Sequence, residues 1–197
     1  MKKLQEEPSL EGMILNHTVN NEQILNNEIY FYNEVTAEST YSLIKSLQTA
    51  EKNCLSIQME FGLSCPPPIR LYINSEGGEL FSSLSVVDRI NALRVPVHTY
   101  VEGIVASAAS LISISGTKRY MRKNAIMMIH QLRTYYGGTH ENVKDETKNL
   151  ELMSKIINEI YLKNSNFEIE KLEEQLKRDL YLSAEDCLNF KLIDEII

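Results

Sequence analysis

Ser107, His130, Asp179 and the pair Gly77-Gly78 are the residues whose types and positions could do chemistry. Ser107 lies in Gly103-Ile104-Val105-Ala106-Ser107-Ala108, where an apolar strand gives way to a helix of small residues. Free N–H groups at the start of that helix would stabilise a developing anion. His130 follows the apolar run Ile126-Met127-Met128-Ile129, so a buried strand delivers an imidazole at its end. Asp179 precedes a helix cap at Ser183, and Gly77-Gly78 falls between a strand and a helix, where backbone N–H groups can face a ligand. Taken singly, each has a purely structural reading: a small residue for close packing, a satisfied core histidine, a solvated or capping aspartate, a tight turn. Together they form a Ser, His, Asp set in chain order, with a hydroxyl nucleophile, an imidazole base and a carboxylate that holds the imidazole's tautomer. That set fits acyl transfer or hydrolysis. No G-x-S-x-G turn surrounds Ser107, which separates the chain from the α/β-hydrolases.

The elements that must position these residues alternate. The first 27 residues are polar and rich in asparagine and read as an arm. The pattern predicts a strand over Glu28–Tyr32, a helix from the cap Thr36 to about Leu47, and a second strand over Cys54–Met59. Pro66-Pro67-Pro68 forces an extended link to a strand over Ile69–Asn74. Leu80, Leu84, Val87 and Ile90 then recur at helical spacing. A strand over Val95–Val101, a turn at Gly103 and a helix over Ala106–Ser115 bring the chain to Ser107. Strands over Lys118–Met121 and Ala125–Ile129 lead to His130, and helices over Asn142–Leu162 and Ile169–Arg178 lead to Asp179. Alternation of this kind argues for an α/β fold with right-handed crossovers and one domain.

Composition agrees and excludes several classes. The chain has 197 residues, 43% of them hydrophobic, which suffices for a single core. Its 20 basic and 27 acidic residues give a formal charge of −7, which disfavours a broad nucleic-acid-binding surface. No apolar run is long enough to span a bilayer. Cys54, Cys65 and Cys187 show no C-x-x-C spacing and read as reduced thiols of a cytoplasmic protein. The histidines His17, His98, His130 and His140 are not paired as zinc ligands would be. No metal or cofactor is indicated.

From Glu28 to the C-terminus the motifs resemble the proteolytic subunit of the Clp protease, the ClpP family. Tyr72-Ile73-Asn74-Ser75-Glu76-Gly77-Gly78 is similar to its YINSPGG strand and turn, and Gly103 to Ser107 to its GxxAS motif. Met128-Ile129-His130-Gln131 matches its MIHQ motif, while Arg178 to Ala184 and Leu192-Ile193-Asp194 resemble its RDxFLSA and closing GLID segments. The resemblance implies a ClpP/crotonase-like fold of repeated β-β-α units, with a strand-helix handle protruding after Gly137-Gly138. Residues 1–27 would then be an N-terminal arm or axial loop, and residues 28–197 a serine peptidase domain. The implied activity is that of a serine endopeptidase cleaving unfolded polypeptides, with Ser107 as nucleophile, His130 as base and acid, and Asp179 as orienting carboxylate. The backbone N–H groups of Gly78 and Ala108 would form the oxyanion hole. The implied partners are further copies of the chain, in a heptameric ring or a stacked tetradecamer, and an AAA+ unfoldase ATPase or another ClpP.

Departures from the family pattern set further expectations. Glu76 replaces a proline and adds a charge beside the substrate groove, and residues around Ser56 to Pro68 are additional. The pocket that docks the ATPase aligns with Arg70, Tyr72, Ala92, Tyr100 and Glu102, which include one cation and one anion. Lys177-Arg178 stands where the family has an acidic residue and an arginine that link rings, so Lys177 removes an attraction between rings. An alternative role follows from these departures: a weakly active or regulatory subunit that co-assembles with another ClpP and alters its gating or partner choice.

Overall fold

In the computed structural model, which describes residues 27–197, the alternation becomes a parallel sheet. Apart from Asn27, the expected arm lies outside the described residues. Strands β1 (Glu28–Phe31), β2 (Ile69–Ser75), β3 (Val97–Ala106), β4 (Lys118–Met121) and β7 (Glu195–Ile196) lie in the order β1-β2-β3-β4-β7. All four pairings along that path are parallel. On β2 and β3 the burial alternates with the pleat: Ile69, Leu71, Ile73, Val97, Thr99 and Val101 face the core.

Helices α1 (Ala37–Phe61) and α2 (Leu80–Ala92) are the crossovers, and their apolar stripes join that core. Thr36 caps α1 through a capping box with Ser39. The helix does not stop near Leu47. Leu43, Leu47, Ala50 and Cys54 recur three or four residues apart and are all buried, so the stripe continues through the segment expected as a strand over Cys54–Met59. The alternation of Leu55, Ile57 and Met59 coincides with the end of this helix, which closes at Gly62 with φ 61°. The residues around Ser56 to Pro68, expected as an addition after a strand, are therefore the last turns of α1 and its link to β2. Cys54 is buried in α1 while Cys65 is exposed in the link, and all three cysteines are free.

Gly103 is not a turn. It lies inside β3 with φ 64°, and the β2 ladder shifts register beside it and resumes at Ser75 opposite Val105, as a bulge does. Asn74 Oδ1 accepts the Ile104 N–H at 3.1 Å and steadies the distortion. The bulge divides β3 between two partners: His98–Val101 pair with β4, and Ile104–Ala106 pair with β5 (Ile126–Met128). β5 also pairs antiparallel with β6 (Tyr181–Leu182).

Helix α3 (Ala108–Ile114) follows β3, and all seven of its residues are buried. Residues 129–139 run without regular structure to α4 (His140–Asn164). An extended segment becomes a strand only when another pairs with it. Among the described residues none does, so within one chain the handle is its helix alone. Of the 25 residues of α4 only Ile157 and Tyr161 are buried, so its N-terminal turns project. Helices α5 (Ile169–Leu176) and α6 (Ala184–Asn189) flank the short β6. No helix among the described residues is long and apolar enough to cross a membrane.

Candidate active site

Ser107 stands where β3 ends and α3 begins, with φ 53° and ψ −129°. A side-chain-bearing residue holds a positive φ of this kind only under constraint. Its N–H donates to Met128 O at 2.8 Å, tying it to β5, and its carbonyl accepts the Ser110 N–H at 3.0 Å. The pairing of β3 with β5 then sets His130, two residues past Met128, beside it. His130 Nε2 and Ser107 Oγ are 2.8 Å apart. The imidazole is largely enclosed, with 11% of its side chain exposed.

On the other side of the ring, Nδ1 lies 3.2 Å from Asp179 Oδ1. The approach is off the line of a hydrogen bond, and this buried nitrogen has no hydrogen-bond partner among the described residues. Asp179 sits in the link between α5 and β6, its side chain 55% exposed, and its second oxygen accepts a hydrogen bond from Arg133 Nη2. Two pairings hold the segments together: Gln131 N–H donates to Leu176 O at 2.7 Å, and Met128 pairs with Tyr181. Ser107, His130 and Asp179, distant in sequence, are thus brought into one row.

Gly77 and Gly78 follow β2 with φ 101° and 142°. The parallel bridge to Val35 uses Gly77 O and Glu79 N, which leaves the Gly78 N–H between them free to point elsewhere. Gly78 and Ala108 line the same groove as Ser107 and His130, a cleft of about 510 Å³. Leu111, Ile157 and Tyr161 give it a buried apolar side, and Glu76, Glu79 and Arg133 give it an exposed charged one. Tyr161 is fully buried, and its hydroxyl shares a 2.6 Å hydrogen bond with Ser110. Burial pushes the Cys54 thiol up to about 11 and the Cys187 thiol to about 12. Neither therefore supplies a thiolate nucleophile near neutral pH.

A family model described as Clp protease matches residues 16–197. The chain belongs to the Clp protease family. A solved structure of a ClpP1 mutant from Listeria monocytogenes is similar, with a TM-score of 0.77 and 25% identity over 91% of this chain and 95% of that one. The mixed α/β architecture with its parallel sheet is the ClpP/crotonase-like fold, and at the level of the family this is a Clp-type serine peptidase.

Of the five residues expected from the sequence to dock a partner, four (Arg70, Tyr72, Tyr100 and Glu102) share the sheet face away from the core. Tyr72 and Tyr100 stack with their centroids 4.7 Å apart, and Tyr30 and Tyr120 extend the stack at the same spacing on either side. Arg70 pairs with Glu28 at 3.1 Å, and Glu102 pairs with Arg122 at 3.0 Å while accepting a hydrogen bond from Tyr32. That bond to Glu102 pushes the Tyr32 phenol up to about 12. Ala92 lies apart, exposed at the end of α2. Tyr30 and Tyr120 were not among the sequence candidates, although each occupies the outward position of its strand in register with Tyr72 and Tyr100. Lys177 and Arg178 are exposed just after α5, and neither makes an ion pair with a described residue. Arg133 also escaped sequence reasoning. No motif marks it, and only the folded loop shows its contact with Asp179.

Proposed function

We propose that this chain is a serine endopeptidase subunit of an ATP-dependent Clp-type protease, cleaving unfolded polypeptides inside a ring-shaped chamber in the cytoplasm. The observation that carries this reading is the 2.8 Å approach of His130 Nε2 to Ser107 Oγ inside the groove. With the proton on Nδ1, Nε2 accepts the Ser107 hydroxyl proton as Oγ attacks the scissile carbonyl. The imidazolium then returns that proton to the leaving amine, and water repeats the sequence on the acyl-enzyme. Asp179 faces Nδ1 and favours the required tautomer. The N–H groups of Gly78 and Ala108 meet the tetrahedral oxyanion, each such donor being worth about 10²–10³ in turnover.

Self-association into heptameric rings, alone or stacked as a tetradecamer, is part of the same proposal. Parallel sheets are ordinarily covered on both faces, and here the tyrosine face is left half-exposed in the single chain. An AAA+ unfoldase docking over Tyr72 and Tyr100 would cover it. The ion pairs of Arg70 and Glu102 on that face favour a second reading, in which the chain co-assembles with another ClpP and alters its gating or partner choice.

Fluorophosphonate labelling of the assembled protein tests the first reading. Labelling that Ser107→Ala abolishes is expected. Unlabelled wild type, or equal labelling of the variant, overturns it. An inert ring that changes the peptidase activity of a second ClpP would support the regulatory reading instead.

A further inference from the structure

We infer that Arg133 is a positioning residue for the reaction: it fixes the Asp179 carboxylate beside His130. The inference rests on the peptidase reading above and adds a member to its machinery.

Asp179 is badly placed to hold itself. It lies in an irregular link with 55% of its side chain exposed, and no backbone N–H of a described residue donates to its carboxylate. An exposed carboxylate of this kind rotates among rotamers and exchanges partners with water. Its two oxygens are divided here: Oδ1 faces His130 Nδ1 at 3.2 Å, and Oδ2 accepts from Arg133 Nη2. A guanidinium holding one oxygen restricts both rotation of the carboxylate and the set of positions open to the other oxygen. Arg133 is three residues past His130, and the Gln131–Leu176 hydrogen bond of 2.7 Å anchors the strip that bears both to the chain just before Asp179. The adjacent cations Lys177 and Arg178 form no pair with Asp179, so the contact with Arg133 is selective.

A cation beside Asp179 reduces the support that the carboxylate gives to an imidazolium. The pair is exposed, 63% at Arg133 and 55% at Asp179, so solvent screens that penalty. Losing the third member of a triad altogether costs about 10⁴-fold in turnover. An exposed pair can bias the carboxylate's orientation by up to about fivefold. Positioning therefore outweighs repulsion, and its effect is a moderate one.

The test compares wild type, Arg133→Ala, Arg133→Lys, Asp179→Asn and the double variant as assembled protein of matched mass. Two readouts are used: hydrolysis of a short fluorogenic peptide and the rate of fluorophosphonate labelling. Arg133→Ala is expected to lower kcat and the labelling rate about fivefold with KM unchanged to within about twofold. Arg133→Lys should recover part of the loss by restoring a cation without the guanidinium fork. In the Asp179→Asn background Arg133→Ala should add nothing, because both act through one carboxylate. An unchanged or raised kcat in Arg133→Ala overturns the inference, as does a raised KM with kcat intact or a fully additive loss in the double variant. Wild type that neither labels nor hydrolyses overturns the peptidase reading itself. Labelled wild type with an unaffected Arg133→Ala overturns this inference alone. Arg133→Lys carries the same comparison if Arg133→Ala fails to assemble.

Discussion

A β-carbon on Gly77 would stand 2.7 Å from the Cβ of Ser107 and 2.6 Å from the carbonyl oxygen of Ala106. The turn after β2 and the β3–α3 junction thus pack backbone against backbone, and Gly77 holds φ 101° to allow it. Gly77→Ala must push the junction away and strain its own backbone, at about 1–3 kcal/mol for the backbone conformation alone. A displacement of Ser107 by an ångström costs about 10²-fold in rate. The expected outcome is an assembled protein with a lowered denaturation midpoint and a labelling rate at Ser107 reduced by about that factor. Wild-type labelling by Gly77→Ala would show that the junction tolerates the added carbon.

Asp179→Asn keeps the shape of the side chain and removes its charge. An amide can present its N–H to the histidine and favour the wrong tautomer, which lowers turnover by about 10³–10⁴ in comparable triads. Peptide hydrolysis should fall by that order while mass and melting behaviour stay near wild type. Near-normal hydrolysis would remove Asp179 from the site.

Gly77, Gly78, Ser107 and His130 were readable in sequence because each lies at or just past the end of a strand within a short motif, whereas Asp179, in an irregular link, was marked by its motif alone. The strand from Ile69, read one residue short of its observed end at Ser75, the helix from Leu80 and the Ser107 junction were legible because their apolar period is local and unambiguous. The failures arose where two periods competed. Leu55, Ile57 and Met59 alternate, yet the longer stripe from Leu43 to Cys54 decides for a helix. Gly103 carries the sign of a turn, and pairing with strands on both sides keeps it in β3. The tyrosine stack needs the register of four strands, and the Arg133 contact needs the path of an irregular loop. Neither has a signature along the chain.

Lys177 offers a test of assembly. Its side chain is exposed and makes no ion pair with a described residue, so it faces outward where a neighbouring ring could meet it. If it repels an opposing cation across stacked rings, Lys177→Glu should shift sedimentation toward the double ring at low salt. Added salt should weaken the shift, because exposed charges are screened beyond about 10 Å at 0.1 M. An unchanged sedimentation profile would remove Lys177 from the ring contact.

Arg119 joins three parts of the fold. Its Nη2 donates to Asp194 Oδ1 at 2.7 Å, its Nε and backbone N–H reach Oδ2 at 3.0 and 2.8 Å, and its Nη1 donates to Asn164 O. β4, the end of α4 and the C-terminal segment therefore meet at one guanidinium. Burial alone would raise the Asp194 carboxyl, but the hydrogen bonds and charge of Arg119 outweigh it and hold the group below its ordinary value of 3.8. The folded chain thus binds this proton less readily than the unfolded one. The stabilisation is complete above 3.8 and is lost as pH falls through the lower folded value. Arg119→Ala should cost about 1.5–3 kcal/mol at neutral pH, the usual range for hydrogen bonds to a charged group. The deficit should shrink on acidification, since the wild type loses there what the variant already lacks. Urea midpoints measured at neutral pH and on the acid side of 3.8 check both the size and the sign. A deficit that grows toward acid would show that Asp194 is not held by Arg119.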